Sequence, residues 1–192
     1  MTEFDPRRIL ETFARHGVEY VVVGGLGGAL HGSPISTDDV DIVPALKKTN
    51  LDALASALNE MNSRILSSKA PEEIQVQFTA RDLRKWIVDF RLLSLMTDYG
   101  RVDLIHRPGG TGGYQDVAAN AEEMDLGGVT IRVAAIEDII RSKQAVARER
   151  DLEQLPTLRM VLEQKQAGTS EAWRQSRAMR PSEIEGVAES SG

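Results

Sequence analysis

Two aspartates, Asp39 and Asp41, stand one residue apart in STDDVDIV (36–43). In an extended strand that spacing sends both carboxylates to one face and Val40 to the other, toward a core. Carboxylates crowded on one face suit hard divalent cations, and two such ions roughly 3.5–4 Å apart need bridging acids of this kind. Taken alone, an Asp-x-Asp is better explained as a polar strand edge. Its neighbours in the chain change the balance. Gly24-Gly25 closes the β-branched run VEYVVV (18–23), where absent side chains let backbone N–H groups approach phosphate at the start of a short helix. Ser33, Ser36 and Thr37 can add hydroxyl donors. Asp103, in RVDLIH (101–106), falls on a later strand that could run beside the first. There it would supply a third carboxylate, able to hold metal and to draw the proton from an attacking hydroxyl; its alternative is a surface strand residue.

The surrounding pattern supplies elements to position these groups. Asp5-Pro6 reads as the N-cap and first-turn proline of a helix with Ile9, Leu10 and Phe13 on one stripe, ended by Gly17. VEYVVV is a buried strand, LGGALHG (26–32) a short helix, and DVDIV (39–43) a second strand. An amphipathic helix over 51–61 packs back on the sheet. RDLRKW (81–86) after Thr79 reads as a capped helical turn. VDFRLLSLM, TDYG and RVDLIH (88–106) then form strand, hairpin turn and strand. GGTGG (109–113) is a hinge or turn, YQDVAANAEE (114–123) a helix, and MDLGGVTIRV (124–133) a hairpin about Gly127-Gly128. Two helices follow, running on as one or broken near Arg148. The expected fold is α+β, a mixed central sheet flanked by helices with a C-terminal helical part. We divide it into a core over 1–134, a helical extension over 135–167 that completes the site, and a polar tail or arm over 168–192, in which EAWRQSRAM could dock as a short helix.

GGLGGALHGSPISTDDVDIV (24–43), with a later third aspartate, resembles the signature of the nucleotidyltransferase superfamily to which DNA polymerase beta belongs. Within it, AIEDIIRSKQAVARERDLEQLPTL (135–158) is similar to a segment of the AbiEii and MenT-type toxin nucleotidyltransferases, where a lysine-bearing helix precedes Arg-x-x-Asp-Leu. The two segments in this order cover roughly 20–150 and are more specific together than apart. The resemblance implies Asp39, Asp41 and Asp103 as ligands of Mg²⁺ or Mn²⁺, Gly24 and Gly25 as the phosphate turn, and Lys143 as a triphosphate contact. It implies transfer of a nucleoside monophosphate from a triphosphate to a hydroxyl. In the toxin branch that hydroxyl is the tRNA 3′ end and a cognate antitoxin is the protein partner. The alternatives are an antibiotic or protein hydroxyl, or a silent interaction module of the same fold. Related sequences often carry arginine two residues before the threonine; Ile35 stands there in this chain.

Lys143, Arg148 and Asp151 also admit a physical reading. Along one unbroken helix Asp151 would lie about 12 Å from Lys143, too far for a contact. If the helix breaks, Asp151 orients Lys143 or Arg148, or touches the base, so all three belong to the candidate nucleotide site. No two of the histidines have a metal-ligand spacing, His31 and His106 included. Trp86 and Trp173 read as packing residues, although Trp86 beside Arg84 and Lys85 could stack on a nucleotide.

Composition sets outer bounds. The 192-residue chain has 41% apolar and 27% charged residues, as expected of a globular protein, and no apolar run long enough to span a bilayer. It has no cysteine, which excludes disulfides and thiolate metal sites. With no export-like N-terminus, a cytoplasmic home is expected. A net charge of −6 argues against a broad nucleic-acid coat. Arginine and lysine nevertheless bunch at 81–86 and 141–150, where they could track the few phosphates of a tRNA acceptor end.

Overall fold

A computed structural model describes residues 4–67 and 73–178, with side chains to residue 168. Helix α1 (Pro6–Arg15) is capped by Asp5, whose carboxylate accepts from Arg8 N–H at 3.1 Å. Then follow β1 (Tyr20–Val22), α2 (Gly24–Leu30), β2 (Asp39–Pro44), α3 (Lys48–Glu60) and the short strands β3 (Arg64–Ile65) and β4 (Ile74–Gln75). Next come α4 (Ala80–Phe90), β5 (Leu92–Thr97), β6 (Gly100–Ile105) and α5 (Tyr114–Ala119). The chain closes with β7 (Glu122–Asp125), β8 (Thr130–Val133), α6 (Ile136–Val146) and α7 (Glu149–Ala178).

The strands make one mixed sheet in the order β4-β3-β5-β6-β2-β1-β8-β7, with β2–β6 and β1–β8 parallel and the remaining pairs antiparallel. Alternation along the strands divides its faces. Val40, Ile42, Leu93, Leu95, Val102 and Leu104 point to one side, where they are sealed under residues of α1, α3 and α4. On the other side, Val21, Val23 and Val43 pack under α5, α6 and α7, with Ile105 at the margin. That second cluster reaches no further along the sheet. Over β5 the same face stays open: Leu92 is 43% exposed and Ser94 and Met96 are half-buried.

Several element boundaries differ from those read in the sequence, three of them by more than a turn's end. The turn expected at RDLRKW is a full helix that takes in Val88–Phe90, because Thr79 caps it and Leu83 and Ile87 give it a buried stripe. Glu122 and Glu123, expected to be helical, lie in β7 against β8. The C-terminal helix does not stop at 167 but continues to Ala178; residues 179–192 of the expected tail, and the side chain of Trp173, lie outside the described residues. Among the described residues no helix is long and apolar enough to cross a membrane.

Candidate active site

The chain leaves β1 at Val22 and passes directly into α2, whose first residue, Gly24, has φ +62°. Val23 N–H donates to Asp41 O at 3.0 Å, holding the helix start against β2. A Cβ on Gly24 would fall 1.8 Å from Asp41 Oδ2, and one on Gly25 would fall 2.7 Å from Thr37 Oγ1. Gly24 is therefore required by its close approach to Asp41 and by its left-handed backbone, and Gly25 by its close approach to Thr37.

The parallel register sets Asp41 directly beside Asp103 and Asp39 beside Arg101. Asp39, Asp41 and Asp103 each bring an oxygen to within 4.8 Å of the others. Burial, followed by the charges of Asp39 and Asp103, pushes the Asp41 carboxyl up to about 7, against the opposing pull of the Gly25 N–H and Lys143. Thr37 Oγ1 donates to Asp39 Oδ1 at 2.9 Å. Asp103 is gripped by the Arg101 fork, with Nε on Oδ1 at 3.0 Å and Nη2 on Oδ2 at 2.8 Å. Three converging oxygen donors, one of them driven toward its protonated form by burial and by the other two, fit a hard divalent cation such as Mg²⁺ or Mn²⁺.

Of the two courses open to the C-terminal helices the chain takes the break, between α6 and α7, and it changes what Asp151 can reach. Ala147 adopts the left-handed conformation (φ +53°, ψ 33°), so α7 starts in a new direction. Asp151 folds back beneath α6, where Oδ1 meets Lys143 Nζ at 3.2 Å and Oδ2 meets Arg148 Nε at 3.1 Å. The separation of an unbroken helix is thus replaced by buried contacts of Asp151 with Lys143 and Arg148.

A cavity of about 370 Å³ joins these parts; Gly24, Gly25, Ser36, Thr37, the three aspartates, Lys143, Arg148 and Asp151 all line it. Ser33 does not. It is buried, and its Oγ accepts from Ile35 N–H at 3.3 Å. The 81–86 cluster is also displaced, since α4 packs on the sheet face opposite the acids. There Arg84 donates to Leu46 O at 2.8 Å, Lys85 pairs with Asp89, and Trp86 stands edge-on to Phe78 at 6.1 Å. His31 is a strut: its Nε2–H donates to Ala134 O at 2.8 Å and Lys165 donates to Nδ1 at 3.4 Å. Charged cavity residues that the sequence reading does not place in the site include Asp38, Arg91, Arg101, Arg107, Asp138 and Arg150. Arg91 was nevertheless traceable, because a hairpin turn at Asp98-Tyr99 pairs Leu92 with Ile105 and so sets Arg91 beside His106 and Arg107.

A mixed sheet that sets three carboxylates against a glycine-started helix defines a nucleotidyltransferase. More narrowly, the chain belongs to the aminoglycoside-2''-adenylyltransferase family, whose model matches residues 7–172. The fold is shared with the lincosamide antibiotic adenylyltransferase LnuA in its lincomycin-bound form, at TM-score 0.53 and 16% identity over 80% of this chain and 94% of that one. It is shared also with the antibiotic-resistance factor ANT(2'')-Ia in solution, at TM-score 0.53 and 12% identity over 90% of each chain. The complex of ANT(2'')-Ia with adenylyl-2''-tobramycin matches at TM-score 0.52 and 12% identity, over 90% of this chain and 96% of that one. No curated protein matches the sequence.

Proposed function

We propose that this enzyme transfers AMP from ATP to a hydroxyl of a small molecule. The observation that carries the reading is Asp41, held between the Gly24–Gly25 helix start, Asp39 and Asp103 in a cavity shared with Lys143. The choice of ATP and of a small acceptor is supported by the matched family and by the substrates of the solved antibiotic adenylyltransferases.

Asp39, Asp41 and Asp103 would hold the divalent cation. When bound, it supplies positive charge against the triphosphate and the developing transition state. Gly24 and Gly25 present backbone to the phosphates, and Ser36 and Thr37 add hydroxyls. Lys143, steadied by Asp151, faces the leaving pyrophosphate, and Arg148 extends that positive edge. The acceptor oxygen forms the new bond to the α-phosphorus as the bond to the β-phosphate bridging oxygen breaks, releasing pyrophosphate. The hydroxyl proton passes to Asp103 once one of its oxygens leaves the Arg101 fork.

Transfer to the tRNA 3′ end, with an antitoxin as partner, draws its support from the 135–158 resemblance. It loses the support expected from Arg84 and Lys85, which lie on the far side of the sheet. The test is to incubate the protein with labelled ATP and Mg²⁺, offering lincomycin, tobramycin, sugar phosphates and total tRNA in separate reactions. Label on a low-molecular-weight hydroxyl compound, lost in Asp39→Ala, is the expected result. Label on tRNA alone would overturn the small-acceptor reading.

A further inference from the structure

The carboxylates and Lys143 are held by different parts of the fold. Asp39, Asp41 and Asp103 stand on β2 and β6, which are hydrogen-bonded in parallel register. Lys143 stands on α6, about 10 Å along the axis from Ile136, where the helix starts just after β8. Its place relative to the carboxylates therefore depends on what α6 packs against. On one flank that is α2, since a Cβ on Gly27 would fall 3.0 Å from Ile139 Cδ1. On another it is the loop over 106–113, which follows the strand that carries Asp103.

Loop and helix meet with almost nothing between them. A Cβ on Gly109 would fall 2.7 Å from Val146 Cγ2 and 3.0 Å from Ser142 O, and one on Gly110 would fall 3.1 Å from Ala145 Cβ. The helix residues in this contact bracket Lys143 in the chain, and Gly109, Ser142 and Val146 line the cavity with it. Gly110 also has a left-handed backbone, φ +65°. Gly109 does not, so close approach alone calls for glycine there. A second tie closes the far end of the loop. Arg141 Nη2 meets Asp138 Oδ1 at 2.9 Å and Asp116 Oδ2 at 3.0 Å, and that same Asp116 oxygen accepts from Gly112 N–H at 2.8 Å.

Resting on the nucleotidyl-transfer reading above, we propose that Gly109 and Arg141 are positioning residues: through them the loop sets Lys143, and so the triphosphate, at a fixed span from the carboxylates. Ordinary carbon–carbon contact is about 3.5–4.0 Å, so an alanine at 109 must part loop and helix by about 1 Å. Val146 can turn aside, but Ser142 O belongs to the helix backbone and moves only with α6. Lys143 has little freedom to make up the difference, because its side chain is 13% exposed and its Nζ is tethered to Asp151 at 3.2 Å. A misplacement of that size is enough to weaken a directed contact to phosphate. The carboxylates, fixed within the sheet, stay where they are.

The experiment reads the two ligands separately. Mn²⁺ alone, and then an ATP analogue with a non-cleavable α–β bridge in the presence of Mg²⁺, are titrated calorimetrically into the full chain. The proteins are the wild type, Gly109→Ala, Gly109→Ala/Val146→Ala and Arg141→Met, with Tm recorded for each. Mn²⁺ affinity should be the same in all four, because β2 and β6 hold its ligands. The analogue should bind about tenfold more weakly to Gly109→Ala and to Arg141→Met, the scale of one charge-assisted contact. Val146→Ala removes the methyl groups that the new Cβ meets, so the double variant should recover part of that loss. A role in packing alone would lower Tm and move both affinities together. Unchanged affinity for the analogue in both single variants, equal loss of Mn²⁺ and analogue, or no recovery in the double variant overturns the proposal. A wild type that binds Mn²⁺ but not the analogue refutes the nucleotidyl-transfer reading and this inference with it, whereas wild-type binding that the variants leave unaltered refutes this inference alone.

Discussion

Gly24→Ala separates two roles of one residue, because a second glycine shares only one of them. Gly24 and Gly32 both have positive φ, +62° and +96°. Alanine at either position should cost about 1–2 kcal/mol of backbone strain. For a chain of this size that is about 2–8 °C in Tm. A Cβ on Gly32 meets nothing within 4 Å, whereas one on Gly24 lands 1.8 Å from Asp41 Oδ2 and 2.6 Å from its Cγ. Normal contact needs more than 3 Å, so Asp41 or the helix start must move by over about 1 Å, a displacement able to cost about 10²-fold in rate. The expected result is a Tm no higher in Gly24→Ala than in Gly32→Ala, with turnover lost only in Gly24→Ala. It is checked by thermal unfolding alongside AMP transfer under saturating ATP and Mg²⁺. Equal turnover in the two variants would refute the argument that Gly24 exists to admit Asp41.

Three further outcomes follow from the same geometry. Burial and the neighbouring acids raise the folded-state pKa of Asp41 to about 7, above the ordinary carboxylate range, so without divalent cation its contribution to stability is full below pH about 4 and is lost as pH rises through 7. Divalent cation binding should displace that proton and weaken as pH falls below 7; calorimetry showing no proton release at pH 6 would contradict it. Lys143→Met should raise the KM for ATP and cost about 1–3 kcal/mol in stability, because it strips a partner from buried Asp151. Part of the stability loss should return in Lys143→Met/Asp151→Asn, and strict additivity in denaturant melts would dissociate the pair. Ala147→Gly should stabilise the α6–α7 junction by about 1 kcal/mol, since glycine adopts φ +53° without strain; a lower urea midpoint would refute that reading of the break.

The parts of the site legible in the sequence were those set by short-range alternation. Asp39 and Asp41 share a face because a strand repeats every two residues, and Val40 is fully buried between them as that repeat demands. Asp103 was legible because RVDLIH reads as a strand in its own right, and the parallel register then placed it beside Asp41. Ser33 was misplaced because hydroxyl chemistry says nothing of direction, and Ser33 turns inward to bind Ile35 N–H. The contact of Asp151 with Lys143 depends on a left-handed alanine, a conformation that the residue type does not announce. The basic run at 81–86 was read by its charge, but Leu83 and Ile87 fix which side of the sheet α4 occupies.

The alternation along the β5–β6 hairpin has a consequence for how this enzyme can change. Leu93, Leu95, Val102 and Leu104 anchor the core, while Leu92, Ser94, Met96 and Arg101 point to the open face beside the acids. Outside Arg101 and Asp103, which belong to the site, Leu92, Ser94 and Met96 can therefore be exchanged with little effect on the packing that keeps the protein folded. A lineage, or an engineer, could revise what the enzyme accepts by altering alternate letters of one short strand, β5. The metal-binding chemistry and the hydrophobic interior would be inherited intact through each change.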